Sequence, residues 1–137
     1  MGVILDSSIL IDFDRRSFDV GEMLEALRVP RAEAITISAI TLMKFANGVA
    51  LADSQARVAH RPQFLEDLRA TLPILPFGSD LAVRTGLLNG DLRKRGITVG
   101  SLDLMMIGVT AVVAGFSVVT RNVRHFRLIP GLKVVEV

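Results

Sequence analysis

Short apolar runs alternate along this chain with amphipathic segments, and polar residues that can cap a helix follow several of the runs. Val3–Leu5 is a β-branched apolar run that stops at Asp6, which indicates a buried strand followed by a helix cap. Ala34–Ile37 and Ser117–Thr120 have the same character and predict two further strands. Leu72–Leu75 is a weaker candidate, because the proline within it cannot donate a hydrogen bond to a neighbouring strand.

Helical periodicity fills most of the remaining chain. The apolar spacing and the capping residues predict helices over residues 9–15, 18–28, 38–51, 55–70, 79–95 and 101–114. Pro62, after Arg61, marks a possible kink or break in the fourth of these helices. A last strand is predicted at Val134–Val137, on an edge. The alternation of strands and helices predicts one α/β domain over residues 1–137, with a mostly parallel sheet.

Polar residues beyond the carboxyl ends of the strands are the candidates for chemistry, because ligands of such sheets bind there. Asp6 follows the first strand and Asn122 follows the fourth, while Lys44 and Asp103 lie in two of the helices. Asp6 is also an ordinary helix cap, and Asn122 is an ordinary turn residue. Neither of these two residues indicates a functional site by itself.

Asp103 carries a stronger signal, because it is the single charged residue between Arg95 and Arg121. The apolar helix around it is predicted to be buried nearly all round. A buried carboxylate has to be paired, hydrogen-bonded or bound to a metal ion. Its position in the first turn also suits the helix dipole, so that structural capping is the alternative to a functional role.

A polar stripe interrupts the otherwise apolar helix over residues 38–51. Thr41, Lys44, Asn47 and Gly48 are spaced by three and four residues or adjacent, so they share one face of the helix. We expect this face to border a cleft or a polar site. The alternative is a stripe facing solvent, with the ammonium group of Lys44 extended into water.

The absence of cysteine excludes disulfides, thiol nucleophiles and thiolate metal sites. An imidazole ligand would have to come from His60 or His125, which are the two histidines of the chain. Without a visible signal peptide or an apolar stretch long enough to span a membrane, we expect a cytoplasmic protein that does not associate with membranes.

Charge is unevenly distributed along the chain, although the net charge is only +2. Residues 81–137 contain eight Lys and Arg against three Asp and Glu, whereas residues 1–80 contain eight against eleven. A basic C-terminal part favours a polyanionic partner such as RNA, and a solvated surface is the alternative. The candidate RNA contacts are Arg93, Lys94, Arg95, Arg121, Arg124 and Arg127.

Taken in order, several segments resemble the PIN-domain family, and specifically its VapC toxins. These segments are residues 4–11, 37–48, 75–77, 100–104, 118–122 and 125–126. The resemblance extends over nearly the whole chain. It implies a three-layer α/β/α sandwich and an acidic cluster that binds Mg²⁺ or Mn²⁺. It also implies endoribonuclease activity, a VapB-type antitoxin as partner and a homodimer.

The resemblance also assigns roles to single residues. It places the first family acid at Asp6, the third at Asp103 and the last polar position, Asp or Asn in the family, at Asn122. Three hydroxyl groups are positioned to hydrogen-bond metal ligands or metal-bound water, those of Ser7, Ser8 and Thr120.

One position departs from the family pattern, because Lys44 stands where the resemblance places a catalytic Glu. Two unit charges about 4 Å apart interact by roughly 4 kcal/mol at an effective dielectric constant near 20, and a divalent ion would be repelled about twice as strongly. We therefore expect weak or absent binding of Mg²⁺ and little nuclease activity. Lys44 is expected to pair with Asp6 and Asp103 in the place of the metal.

Two other functions are compatible with parts of this pattern. A naturally inactive PIN scaffold would bind RNA or an antitoxin without cleaving RNA. A phosphotransfer or signalling domain also places Asp residues after strands, but a receiver-type domain has its acceptor Asp after a central strand, whereas here the candidate follows the first strand. A haloacid-dehalogenase-like site needs a second Asp two residues after the first, where this chain has Ser8.

Overall fold

Strands and helices alternate in the computed structural model, which describes residues 1–30 and 33–137. The strands are β1 (Gly2–Leu5), β2 (Ala34–Ser38), β3 (Ile74–Leu75), β4 (Ser117–Thr120) and β5 (Val134–Glu136). The helices are α1 (Ser7–Arg15), α2 (Val20–Ala26), α3 (Ala39–Ala50), α4 (Gln55–Thr71), α5 (Ser79–Lys94), α6 (Leu102–Ala114) and α7 (Val123–Phe126).

The five strands form one sheet in the order β3-β2-β1-β4-β5, and every neighbouring pair is parallel. β1 lies at the centre, with Ile4 paired to Thr36 of β2 and to Val118 of β4. Parallel strands need crossover connections, and helices supply them here. This arrangement confirms the predicted mostly parallel sheet and makes it wholly parallel.

Helices cover both faces of the sheet, because successive side chains of a strand point to opposite faces. Val3 and Leu5 of β1 pack into one core cluster with residues of α1, α2 and α4. Ile4, between them, packs into a second cluster with residues of α5 and α6. The protein is therefore the three-layer α/β/α sandwich that the resemblance implies.

A buried ion network joins the helices of the first layer. Asp14, whose side chain is fully buried near the end of α1, accepts hydrogen bonds from Arg61 Nε at 2.6 Å and from His60 Nδ1 at 2.7 Å. The guanidinium group of Arg61 also donates to the backbone oxygen of Gly48 in α3, at 2.9 Å. The network therefore fixes α1, α3 and α4 relative to one another.

The predicted break at Pro62 is wrong, because α4 runs unbroken from Gln55 to Thr71 with Pro62 inside it. Proline removes one hydrogen bond from a helix interior, yet tertiary contacts hold this helix on both sides of it. Arg61 is fixed by the ion network, and Phe64 and Leu68 are buried in the core. Packing therefore overrides the local preference.

Two other elements differ from the predictions. β3 contains only Ile74 and Leu75, because Pro73 has no N–H to donate, although its backbone oxygen accepts from Ile37 N at 3.1 Å. The short helix α7, which the apolar pattern does not predict, follows β4 directly.

Gly115 ends α6 with φ +74°, a conformation that glycine adopts without strain. No helix of the described residues is long and apolar enough to cross a membrane.

Replacing Asp14 by Ala is expected to lower the free energy of unfolding by about 3 kcal/mol, because Arg61 would keep its charge in a buried position without a partner. Urea denaturation measures this loss. Asp53→Ala is the matched control: its carboxylate is 87% exposed and lies 4.0 Å from Arg57, so its loss should change stability by less than about 0.5 kcal/mol. Equal effects of the two substitutions would contradict a structural role for the network.

Candidate active site

The candidate site lies where the carboxyl ends of β1, β2 and β4 meet. Asp6 follows β1 directly, and its backbone N–H donates to the oxygen of Val119 in β4 at 3.0 Å. Thr120 is the last residue of β4, and Ser38 is the last residue of β2. The three strands are parallel neighbours, so their polar terminal residues converge on one edge of the sheet.

Asp6 is held rigidly in this position. Its side chain is completely buried, and Oδ2 accepts hydrogen bonds from Ser8 Oγ at 2.8 Å and from Thr120 Oγ1 at 2.9 Å. A longer bond from Ser8 N, 3.4 Å, makes Asp6 the cap of α1, as predicted. Its other oxygen, Oδ1, is buried without a donor among the described residues. A buried carboxylate oxygen without a donor is costly unless it serves as a ligand.

The two hydroxyl groups are themselves oriented by backbone donors. Arg121 N donates to Ser8 Oγ at 3.0 Å, and Asn122 N donates to Thr120 Oγ1 at 2.8 Å. Each hydroxyl accepts from the backbone and gives its single proton to Asp6. Ser7 is buried, but its hydroxyl group makes no hydrogen bond to Asp6 within the described chain. The structure thus brings Ser8 and Thr120 to the first acid.

Asn122 adjoins the site through its backbone. It is exposed and stands at the cap position of α7 without a side-chain capping bond. Its N–H group orients Thr120, as described above. The predicted catalytic role of its amide group stays a prediction.

Lys44 and Asp103 form a close ion pair that joins α3 to α6. The distance from Lys44 Nζ to Asp103 Oδ2 is 2.5 Å, and the two side chains are 30% and 26% exposed. Asp103 is therefore half-buried, and the prediction that α6 is buried nearly all round is wrong at both ends of the helix. Leu102 is 56% exposed in the first turn, and Val112 and Val113 are 37% and 50% exposed in the last. The reason is that α6 packs into the core through residues between Leu104 and Ala111. The polar side chain of Asp103 reaches solvent and Lys44 at once.

The pKa of Asp103 lies below its ordinary value of 3.8. Burial acts in the opposite direction and raises the pKa. Hydrogen bonds from Lys44 and Ser101, together with the positive charge of Lys44, lower it by more. Asp103 therefore carries a negative charge at neutral pH, and that charge is balanced by the ammonium group.

Lys44 pairs with Asp103 alone, so the expectation that it also pairs with Asp6 is wrong. The described residues offer Lys44 no other carboxylate within 4.0 Å. The reason is burial: Asp6 is completely buried, whereas Lys44 and Asp103 are both partly exposed, so the ammonium group keeps contact with water when it pairs with Asp103. Three residues of the predicted polar stripe face the protein: Thr41 is buried, Lys44 reaches Asp103, and the backbone oxygen of Gly48 accepts from Arg61. The fourth, Asn47, is exposed.

These side chains do not suit a resident divalent cation. Mg²⁺ and Mn²⁺ need several oxygen ligands, carboxylates above all. Residues 1–30 and 33–137 contain no group of three His, Cys, Asp or Glu residues that could hold a metal ion. The buried Oδ1 of Asp6 offers one oxygen, but the Asp103 carboxylate is occupied by an ammonium group, which would repel the metal.

The basic residues predicted from sequence are spread over several places. Arg93, Lys94 and Arg95 are exposed at the C-terminal end of α5, and Arg95 pairs with Asp91 at 2.9 Å. Arg124 and Arg127, at α7, are also exposed. None of these five side chains contacts the buried acid.

Two arginines near the site escaped the sequence prediction. Arg15 and Arg16 lie at the end of α1, where they line a groove together with Ser8 and Arg121. The signal was available, because both residues end the helix that Asp6 begins. A charge count along the chain favours residues 81–137 instead, because it does not show which segments meet in the fold.

Comparison with known proteins identifies the family of this chain. The PIN domain family matches residues 3–132. Ribonuclease VapC1 of Rickettsia felis is 33% identical over 137 residues, covering 100% of this chain and 97% of that protein. The tRNA(fMet)-specific endonuclease VapC of Salmonella typhimurium is 33% identical over 100 residues, 73% of each chain.

Among solved structures, VapBC from Salmonella typhimurium bound to DNA is similar with a TM-score of 0.79 and 27% identity, over 99% of this chain and 98% of that one. VapBC2 from Rickettsia felis, bound to a promoter DNA fragment, has a TM-score of 0.81 at 24% identity, over 100% and 99%. The chain therefore belongs to the PIN-domain family, and within it to the VapC toxins of toxin–antitoxin systems. This confirms the resemblance seen in the sequence.

Replacing Lys44 by Met should raise the pKa of Asp103, because burial of the carboxylate remains while its cationic partner is lost. Carboxyl NMR titration of both chains measures the shift. Asp103 titrating at the same pH in both chains would show that Lys44 does not control its ionisation.

The same ion pair should make stability depend on pH. The folded pKa of Asp103 is depressed, so its contribution is complete above pH 3.8 and is lost as the pH falls through the lower folded value. The stability difference between the natural chain and Lys44→Met, measured by urea denaturation, should therefore shrink at low pH. A difference that stays constant from neutral pH to below pH 3.8 would contradict this assignment.

Proposed function

We propose that this chain is a VapC-type endoribonuclease whose phosphodiester-cleaving site is disabled by Lys44. The relatives named ribonuclease and endonuclease support the activity class. The buried, rigidly held Asp6 at the carboxyl edge of the sheet supports the position of the site. Its remaining elements are Asp103 and the Asn122 position at the end of β4.

The observation that carries the proposal is the 2.5 Å ion pair between Lys44 and Asp103. In metal-assisted hydrolysis a bound cation supplies an activated water and stabilises charge on the phosphate. Such a cation needs a strongly negative site, whereas one of the two acids is neutralised here by a lysine. We therefore propose that this chain binds Mg²⁺ or Mn²⁺ weakly or not at all.

The partners follow from the same assignment. We propose that RNA is the nucleic acid that the site receives, and that a VapB-type antitoxin binds the chain, as in the solved VapBC complexes to which it is similar. The place of action would be the cytoplasm.

A second function is favoured by one specific observation. The Lys44–Asp103 pair is well formed and leaves no uncompensated charge on Asp103. An acid balanced in this way needs no metal ion, as expected of a PIN scaffold that binds RNA or an antitoxin and does not cleave. The two functions differ in whether a carboxylate at position 44 suffices for activity.

Lys44→Glu is expected to restore Mg²⁺-dependent RNA cleavage, because it replaces a repelling ammonium group by a third carboxylate beside Asp103 and Asp6. Both chains are expressed with an antitoxin, purified free of it and assayed on total RNA with Mg²⁺ and with EDTA. We expect a gain of at least about 100-fold, since loss of a metal ligand or of its supporting group typically costs 10- to 100-fold or more. Titration calorimetry with Mn²⁺ should show binding to Lys44→Glu and little to the natural chain.

Lys44→Gln is the matched control, because it removes the positive charge without adding a metal ligand. It should remain inactive. Cleavage by neither variant, with both folded, would favour the non-cleaving scaffold. Micromolar Mn²⁺ binding by the natural chain, or metal-dependent cleavage by it, would overturn the proposal that Lys44 disables the site.

We also propose that the chain forms a homodimer through an apolar groove between α5 and α6. Leu87, Val112 and Val113 line this groove, which has a volume of about 410 Å³, and all three are exposed.

Light scattering should give twice the 14.9 kDa chain mass. Leu87→Glu should give the single mass, since it places a charge in an apolar contact. Val58→Glu is the control, because Val58 is an exposed residue of α4, and this variant should leave the dimer intact. A monomer at high concentration would refute this part.

A further inference from the structure

Two grooves meet along α1 and open onto the candidate site. The larger, about 550 Å³, is lined by Ser8, Ile11, Asp12, Arg15, Arg16 and Arg121. The smaller, about 100 Å³, is lined by Ile11, Arg15, Lys44, Phe45, Gly48 and Arg61. They share Ile11 and Arg15, so they form one continuous surface, here called the α1 track. It contacts the site at one end through Ser8 and at the other through Lys44.

The α1 track is strongly basic. Asp12 is the one acidic residue that lines it, and its carboxylate is shared by two guanidinium groups, those of Arg121 at 2.9 Å and Arg16 at 3.1 Å. Arg15 is exposed, and no carboxylate of the described residues lies within 4.0 Å of it. The larger groove therefore carries three arginines against one acid.

Its guanidinium groups are also held in place before any ligand binds. Arg16 lies over the rings of Phe13 and Phe18, at 4.4 and 4.8 Å from their centroids. Arg121 donates to the backbone oxygen of Val137 at 2.6 Å. Guanidinium groups fixed in this way lose little entropy when they bind phosphate, and their planar donors match its oxygens.

We propose that the α1 track binds the phosphodiester backbone of a single strand of nucleic acid and leads it across the candidate site. This inference rests on the proposed function and adds to it the path of the substrate. Phosphate contacts are independent of base sequence, so the track positions the strand without selecting a sequence. Nucleic acid is favoured over an acidic protein segment, because the track runs between two residues of the site that the proposed function assigns to phosphodiesters.

The path differs from the one that the sequence predicts. Of the six basic residues proposed there, only Arg121 lies on the α1 track. Arg15 and Arg16 replace the other five, because the end of α1 is adjacent to the end of β4 in the fold. Lys44, which is paired with Asp103, lies at the inner end of the track.

Binding of a short labelled RNA strand, followed by fluorescence anisotropy in EDTA, tests this path with the natural chain, which is not expected to cleave. Arg15→Gln is the informative variant, because Arg15 lines both grooves and belongs to no ion pair of the described chain. Arg69→Gln is the matched control: Arg69 is an exposed helical arginine of α4 that lines neither groove of the α1 track. Light scattering checks that all three chains have the same mass.

Arg15→Gln should weaken RNA binding by about 3- to 10-fold at low salt. It should also reduce the salt dependence, which is the slope of log K against log salt concentration. The expected reduction is about 0.7, the value for one phosphate contact of a single strand. Arg69→Gln should change neither quantity. Equal effects of the two substitutions would overturn the path. Circular dichroism and thermal melting show that Arg15→Gln folds, and Arg121→Gln provides a second position on the track with the same expected loss.

Strands of RNA and DNA with the same sequence distinguish the source of the phosphate. Tighter binding of RNA assigns the track to RNA, and equal binding assigns it to the phosphodiester backbone alone; both support the path. A glutamate-rich peptide that binds as tightly, with the same dependence on Arg15, would overturn the nucleic-acid assignment in favour of a protein partner.

The same variants separate failure of the path from failure of the proposed function. If Lys44→Glu cleaves RNA, and Arg15→Gln changes neither RNA binding nor the cleavage by Lys44→Glu when the two are combined, the function stands and the path is wrong. If Lys44→Glu does not cleave while Arg15→Gln weakens RNA binding, the path stands and the chain is a non-cleaving scaffold.

Discussion

Parallel pairing of β1 between β2 and β4 is the constraint on which the rest of the structure depends. It buries all four residues of β1 and forces each strand to be followed by a crossover helix. It also brings the ends of β1, β2 and β4 to one edge of the sheet. Asp6, Thr120 and the start of α3 therefore meet, although they are far apart in the chain. The candidate site is a consequence of this strand order.

Electrostatics then decides what the site can hold. Asp6 is prepared as an acceptor by Ser8 and Thr120, and one of its oxygens stays without a donor among the described residues. Asp103 would be the second acid, but Lys44 neutralises it at 2.5 Å. A PIN fold can hold this pair, because both side chains keep contact with solvent and the lysine outweighs the effect of burial on the ionisation of Asp103. The fold therefore accommodates a lysine at position 44.

The candidate site could be predicted in part because its residues follow strands or cap helices. Asp6 and Thr120 are recognisable from strand ends, and Lys44 and Asp103 from isolated polar positions within apolar helices. Their pairing could not be predicted, since the choice of Asp103 over Asp6 depends on how deeply each carboxylate is buried in the folded chain. Arg15 and Arg16 were missed for a similar reason, because local charge counts do not register that α1 ends beside β4.

By itself, the sequence determined the alternation of strands and helices, the three-layer class, the family and the unusual lysine at position 44. These properties depend on the period of apolar residues and on residue types at short spacing, which act locally. Only the tertiary structure decided that α4 continues through Pro62, that Asp103 is half-buried and paired with Lys44, and that the arginines of α1 join Arg121 in one groove. Those properties depend on which distant segments come into contact, and burial and Coulomb interactions between such segments outweigh local preference.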